Sequence, residues 1–246
     1  MSNNLDIFIN LVLFIIILFF IIVFICVLYS LLKYLLFNIN DEEKMQKLPK
    51  ILDIPHVIKG FITPEDAEYI KDLVNKNGGT LDSEVIGQYG KENIEKYRKS
   101  ETKWLDKNND PVVKNIITKV CKLTGNHFDQ CEELQVVKYG PGGFFREHND
   151  NCCDDTSECV EFKKRGGYRL LTILISLSNP SEFEGGETRF TKLNFSYKGD
   201  KGDAVLFYNI NDKSECNDMS THGGEPLTSG EKWIANVWIR QEKFTL

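Results

Sequence analysis

Three side chains define the chemistry open to this chain. His148 and Asp150 stand one residue apart, and His222 follows much later. Two imidazoles and one carboxylate form the facial triad that holds non-heme Fe(II) and leaves coordination positions open for a co-substrate and dioxygen. On a strand, residues i and i+2 share a face, so His148 and Asp150 reach one metal while Asn149 points away. Lys232, downstream of His222, adds a cation that can hold the far carboxylate of a 2-oxo acid whose other end chelates iron. A His-x-Asp triplet alone is also common in surface loops and helix caps. The other two histidines of the chain are His56 and His127.

Those residues need a scaffold, and the 246-residue chain divides unevenly. Leu11 to Tyr29 (LVLFIIILFFIIVFICVLY) is an unbroken apolar run, and no charge occurs from Ile7 to Leu32. Such a run reads as one transmembrane helix. A buried core helix would show polar positions at helical spacing. A cleaved signal peptide would have a basic start and a shorter apolar stretch than the one after MSNNLD. The expected organisation is a membrane anchor over 1–37, a polar stalk over 38–50 (NINDEEKMQKLPK from Asn38) and one domain over 51–246. Charge is interspersed, with a net of −6 and no basic stripe, so nucleic acid is not an expected partner.

The side of the membrane is open. Lys33, Lys44, Lys47 and Lys50 all follow the helix, which favours a cytoplasmic domain. Cys121, Cys131, Cys152, Cys153, Cys159 and Cys216 make an even set compatible with disulfides in an oxidising lumen, or with free buried thiols. Cys152, Cys153 and Cys159 sit beside the triad but lack the paired C-x-x-C of a zinc site.

Within the domain, Thr63-Pro64 with Asp66 starts a helix that runs to about Asn75. Val112, Val113, Ile116, Ile117, Val120 and Leu123 predict a second, from Pro111 to about Leu123, stopped by Gly125. Short strands follow: Glu133–Tyr139, Phe144–Asp150 with the first two ligands, Tyr168–Ser178, Glu187–Thr191, Ala204–Tyr208 and Lys232–Arg240, with glycine turns between them. The fold class is α+β, mainly β: supporting helices packed on a jelly roll. On the last strand Trp233, Ala235, Val237 and Ile239 form an apolar core face, and Lys232, Ile234, Asn236 and Trp238 share the other. A lysine inside a small barrel needs a counter-charge, which a dicarboxylate would provide; the alternative is an exposed lysine on an edge strand.

From Ile51 to Arg240 the chain resembles the catalytic domain of prolyl 4-hydroxylases, the 2-oxoglutarate- and Fe(II)-dependent dioxygenases. The matching segments are Arg98-Lys99-Ser100, Asp110-Pro111-Val112-Val113, Leu134–Tyr139, Gly185-Gly186-Glu187-Thr188-Arg189-Phe190, Lys201-Gly202-Asp203-Ala204, Ser220-Thr221-His222 and Gly230–Arg240. The resemblance implies a double-stranded β-helix in which His148, Asp150 and His222 bind Fe(II). It implies that Lys232 pairs with the C5 carboxylate of 2-oxoglutarate, that Tyr139 and Trp238 line that pocket, and that Arg169 opens the strand near which the peptide enters. Two positions depart from the family pattern. Ser176 stands where many members have a Tyr near the co-substrate, and Phe145 where Tyr is frequent three residues before the first ligand. The implied reaction hydroxylates peptidyl proline with O2, giving succinate and CO2. Ascorbate would support turnover, a proline-containing or collagen-like protein would be the substrate, and the membrane would be of endoplasmic-reticulum type. Other readings are an oxygenase acting on peptidyl lysine, or a non-catalytic membrane-tethered binding module.

Overall fold

The computed structural model describes residues 13, 16–32, 54–83 and 96–245. The chain divides into two units, Met1–Lys47 and Leu48–Leu246. In the first, residues 16–32 are helical and exposed. Among the described residues no helix is long and apolar enough to cross a membrane. Residues 11, 12, 14 and 15 of the predicted span, and the stalk over 38–50, lie outside the described residues.

The second unit begins with β1 (His56–Ile58) and α1 (Pro64–Lys76). Thr63 caps α1, its hydroxyl accepting from the Asp66 amide at 3.0 Å, and this satisfies one of the donors a helix start leaves unpaired. After β2 (Leu81–Asp82), β3 (Arg98–Lys99) and β4 (Glu101–Leu105) comes α2 (Pro111–Thr124). Asp110 caps α2 by accepting from the amides of Val112 and Val113, and Gly125 ends it at φ 74°, a left-handed position that glycine adopts without strain. Both helices therefore start and stop within a residue or two of where the sequence predicts.

The remaining strands are β5 (Leu134–Tyr139), β6 (Phe144–His148), β7 (Arg169–Ser176), β8 (Phe183–Gly185), β9 (Thr188–Phe190), β10 (Phe195–Tyr197), β11 (Ala204–Tyr208), β12 (His222–Gly224), β13 (Leu227–Gly230) and β14 (Lys232–Arg240). A seven-stranded sheet runs β1-β11-β7-β14-β5-β4-β2, a five-stranded sheet runs β10-β9-β12-β6-β3, and β13 pairs with β8. Every pairing is antiparallel.

The two faces of β14 separate as its alternation predicts. Trp233, Ala235, Val237 and Ile239 join Ile70, Ile116, Ile117 and Val120 of the helices in the larger core. Ile234 joins Val137, Leu174, Val205 and Tyr197 in a smaller interior cluster contributed by the facing sheets. Burying each large aliphatic side chain contributes roughly 1.5–3 kcal/mol, so the helix-facing layer holds the seven-stranded sheet firm and leaves its other face available for polar work.

One helix has no clear sequence signal. α3 (Ser157–Lys164) follows Thr156, whose hydroxyl accepts from the Cys159 amide. Its charges outnumber its buried Cys159 and Phe162, so the apolar period is weak. The Cys152–Cys159 disulfide staples it, and Cys153 pairs with Cys216. Cys152 and Cys159 lie near Asp154, but their sulfurs are joined to each other and do not form a zinc site. Cys121 and Cys131 are free, their sulfurs 3.5 Å apart.

Candidate active site

β12 lies between β6 and β9, with His222 directly opposite His148 on one side and Phe190 on the other. The imidazole centroids of His148 and His222 are 4.4 Å apart. β6 ends at His148, so Asp150 reaches the site from the bend that follows and not from the strand itself, as its i+2 spacing had suggested. Asn149 does turn away. Its side-chain amide donates to the Asn217 carbonyl and the Ser220 hydroxyl, and its Oδ1 accepts from the Asn151 amide. These bonds tie the bend to the loop that leads into His222. The Cys153–Cys216 disulfide joins the same two segments covalently.

The ligating atoms of His148, Asp150 and His222 all lie within 4.8 Å of one another. Nδ1 of His148 is 2.8 Å from the Arg146 carbonyl, and Nδ1 of His222 is 2.9 Å from the Ser220 carbonyl. A carbonyl only accepts, so each Nδ1 carries the proton and each Nε2 presents a lone pair. Asp150 Oδ2 accepts from Thr172 Oγ1 at 2.6 Å and Trp238 Nε1 at 3.0 Å. Its Oδ1 is left facing His148 Nε2 at 3.6 Å. Two neutral imidazole nitrogens and one carboxylate oxygen on one side of a pocket fit Fe(II).

Electrostatics hold those states. Burial alone would raise the Asp150 carboxyl, but His222, His148 and the Arg169 guanidinium together keep it below the usual carboxylate range. Burial, with His148 beside it, pushes His222 down to about 4, so it is neutral and ready to ligate.

Beneath Asp150 lies a buried ionic cluster. Glu132 accepts from Arg169 at 2.6 and 2.8 Å and from Arg240 at 2.7 Å. The Arg169 guanidinium lies 3.6 Å from the Trp238 ring centroid and donates to the Asp150 carbonyl at 3.2 Å. Arg169 opens β7 as expected, but with its charge spent on Glu132 and Trp238 it is a support for the triad before it is anything to a peptide.

At the other end of β14, Lys232 is buried. Its Nζ donates to the Gly186 carbonyl at 2.6 Å and the Thr188 hydroxyl at 3.3 Å. No carboxylate among the described residues pairs with it at salt-bridge distance, and burial pushes it down to about 8. The exposed edge-strand alternative is thus set aside: β14 sits between β7 and β5. Glu187 acts on it only from beyond salt-bridge distance, and a buried cation without an ion-pair partner fits the distal carboxylate of a dicarboxylic 2-oxo acid.

Tyr139 and Trp238 line the same cleft of about 850 Å³ as the triad and Lys232. Tyr139 stands opposite Lys232 in the β5–β14 register. At the departure position, the Phe145 ring stacks on His148 with centroids 3.6 Å apart, and the Arg98 guanidinium lies 4.6 Å from the Phe145 ring centroid. Phe145 thus fixes a ligand ring without offering a hydroxyl. Sequence reading did not pick out Thr172, Glu132 or Thr188 as site residues. A lone threonine inside the apolar run YRLLTILISLS was the one available signal for Thr172.

The sequence profile of the 2OG-Fe(II) oxygenase superfamily matches residues 134–240. The chain is 41% identical over 209 residues to the "Putative prolyl 4-hydroxylase" of Acanthamoeba polyphaga mimivirus, an alignment covering 85% of this chain and 83% of that one. It is 33% identical over 183 residues to prolyl 4-hydroxylase subunit alpha-3 of Rattus norvegicus, covering 74% of this chain but 32% of the subunit, so it spans about a third of that protein's length. The crystal structure of viral collagen prolyl hydroxylase from Paramecium Bursaria Chlorella virus-1 in complex with 2OG matches with a TM-score of 0.60 and 27% identity, over 75% of this chain and 94% of that one. Double-stranded β-helix, open triad and buried lysine together define a 2-oxoglutarate- and Fe(II)-dependent dioxygenase. The chain belongs to the prolyl 4-hydroxylase family and is an enzyme of that type.

Proposed function

We propose that this chain is a membrane-anchored hydroxylase of peptidyl proline. The carrying observation is that three metal-competent side chains and one uncompensated buried lysine line a single cleft. His148, Asp150 and His222 would hold Fe(II), and Lys232 would pair with the C5 carboxylate of 2-oxoglutarate, with Tyr139 and Trp238 as walls. When bound there, the metal and 2-oxoglutarate would supply the oxidising chemistry by which dioxygen gives one oxygen atom to a substrate C–H bond and one to succinate, with release of CO2. The protein's own part is geometric. The carbonyls of Arg146 and Ser220 aim the two imidazoles, Thr172 and Trp238 orient the carboxylate, and Phe145 stacks on His148.

Proline-containing or collagen-like protein is the proposed substrate. The cleft carries exposed aromatic surface in Trp104, whose ring centroid is 5.8 Å from that of Trp238. Aromatic-lined grooves suit the extended polyproline helix, which docks with little further loss of entropy. The apolar run Leu11–Tyr29 is the proposed anchor. Two disulfides in the catalytic unit favour an oxidising, lumenal side of an endoplasmic-reticulum-type membrane over the cytoplasmic side that Lys33 and its neighbours suggest. Ascorbate would keep the iron ferrous between turnovers.

The test offers the full chain in mild detergent Fe(II), 2-oxoglutarate and ascorbate, with a (Pro-Pro-Gly) repeat, a polyproline and a lysine-containing collagen-like peptide. One added oxygen on proline, lost without 2-oxoglutarate, is the expected tandem mass spectrum. Oxygen on lysine instead would move the substrate assignment, and succinate release with no oxidised peptide would remove it.

A further inference from the structure

Next to Lys232 the cleft's far end narrows into a small pocket walled by Ser176, Thr188, Tyr197 and Lys232. Ser176 is the position where the sequence departs from its family by lacking a phenol. Yet a phenol is present. Tyr197, at the end of β10, is buried and places its hydroxyl 3.1 Å from Ser176 Oγ. In the β9–β10 register Tyr197 stands directly opposite Thr188, whose hydroxyl is the one 3.3 Å from Lys232 Nζ. Ser176 in turn stands opposite Ile234 on β14, two residues from Lys232 on the same face. Three hydroxyls and one ammonium thus converge from four strands.

We infer that Tyr197 is a binding residue for the far carboxylate of the co-substrate, its phenol supplied from β10 and held in place by Ser176. The inference rests on the co-substrate reading given above. Each hydroxyl has one proton to donate and two lone pairs to accept with. When Ser176 donates to the Tyr197 oxygen, the phenolic O–H is free for one carboxylate oxygen while Lys232 and Thr188 serve the other. Burial raises the Tyr197 phenol, so it keeps its proton throughout the working pH range.

The chain also makes room for this ring. Gly199 follows Tyr197 by two residues, and a Cβ there would collide with the phenol hydroxyl itself. Gly199 does not need a left-handed backbone. What its missing side chain provides is space for the tip of Tyr197.

The test measures binding of 2-oxoglutarate and of 2-oxovalerate, which lacks the far carboxylate, to the Fe(II)-loaded full chain under nitrogen by calorimetry. Tyr197→Phe keeps the ring and removes only the O–H. A hydrogen bond to a charged group supports an expected rise of about 10–100-fold in the Kd for 2-oxoglutarate, with 2-oxovalerate and Fe(II) binding unchanged. Gly199→Ala, which displaces the same phenol without removing it, is expected to weaken 2-oxoglutarate in the same selective way. If Tyr197→Phe binds 2-oxoglutarate as wild type does, or loses both acids equally, the assignment of Tyr197 falls. If Lys232→Ala also leaves 2-oxoglutarate binding intact, the co-substrate reading falls with it; if Lys232→Ala abolishes binding while Tyr197→Phe does not, only Tyr197 is overturned.

Discussion

At one end of the cleft, around Asp150, the buried charges answer one another: a carboxylate with two neutral donors, and behind it one glutamate shared by two arginines. At the other end, Lys232 has a carbonyl and hydroxyls but no carboxylate at salt-bridge distance among the described residues. Removing a charge from water costs several kcal/mol, and only well-placed partners offset it. The triad end is therefore assembled by the fold before any ligand arrives. The lysine end is left electrostatically incomplete, and a dianionic co-substrate would complete it. A site arranged in this way holds its metal geometry steady while giving the co-substrate a large differential gain on binding.

The triad end should fail outright. Asp150→Ala, His148→Ala or His222→Ala is expected to abolish Fe(II) binding and peptide oxidation, read by metal content and succinate release. Full turnover in any one of them would remove that residue from the metal.

The sharpest separation of the two ends is a difference in sign. Glu132→Ala leaves Arg169 and Arg240 buried without a counter-charge, and breaking such a cluster costs about 3–5 kcal/mol of stability. Lys232→Met, by contrast, removes a buried charge with no carboxylate at salt-bridge distance, Glu187 acting on it only from farther away. The apo protein should unfold at the same or a higher denaturant midpoint, while its Kd for 2-oxoglutarate rises by about 100-fold or more, the loss of a buried charge pair. If Lys232→Met destabilises the apo protein as strongly as Glu132→Ala does, the two ends are not built differently.

A pH series tests the same contrast without mutation. Burial holds Lys232 at about 8, below its unfolded value of about 10.4. Below pH 8 the folded protein bears the full cost of the buried charge. Between those two values the unfolded chain binds more protons, so the Lys232 contribution to stability improves as pH rises. Affinity for the dicarboxylate moves the opposite way, because it needs the ammonium. The Kd for 2-oxoglutarate should climb by up to about tenfold per pH unit above 8. An affinity flat from pH 7 to 10 would mean that Lys232 stays charged without its ligand.

Much of this contrast was readable in the chain. The alternation of KWIANVWIR separates a core face from a mixed one, and its Lys232 and Trp238 do lie on the cleft side. Asp150 was placed beside His148 by strand periodicity, but the strand stops at His148 and a bend anchored by Asn149 brings the carboxylate in. Glu132, Thr172 and Tyr197 were not legible as site residues. Each works through a pairing between distant segments: Glu132 with Arg169 and Arg240, Thr172 beside Trp238 in the β7–β14 register, Tyr197 with Ser176. Local spacing carries no information about which strands will lie side by side. α3 was missed for another reason, since a disulfide and a threonine cap hold it where apolar periodicity is weak.

The smallest effect expected at the triad end comes from Thr172. Its hydroxyl accepts from Asn209 Nδ2 at 2.8 Å, which directs its own proton to Asp150 Oδ2 at 2.6 Å. The oxygen that remains for the metal is thereby fixed as Oδ1. Thr172→Val keeps the shape and the β-branch but removes one of the two donors that fix the carboxylate and takes away the Asn209 amide's acceptor. Support of this kind for a metal ligand is typically worth about 10–100-fold in affinity. Fe(II) affinity should therefore fall by about tenfold, with Trp238 Nε1 still holding Oδ2. Thr172→Ser, which restores the donor, should recover most of that loss. The Kd for 2-oxovalerate, normalised to iron occupancy, should stay the same in both variants. A loss that serine does not repair would assign Thr172 to packing in β7, leaving Trp238 as the sole orienting donor of Asp150.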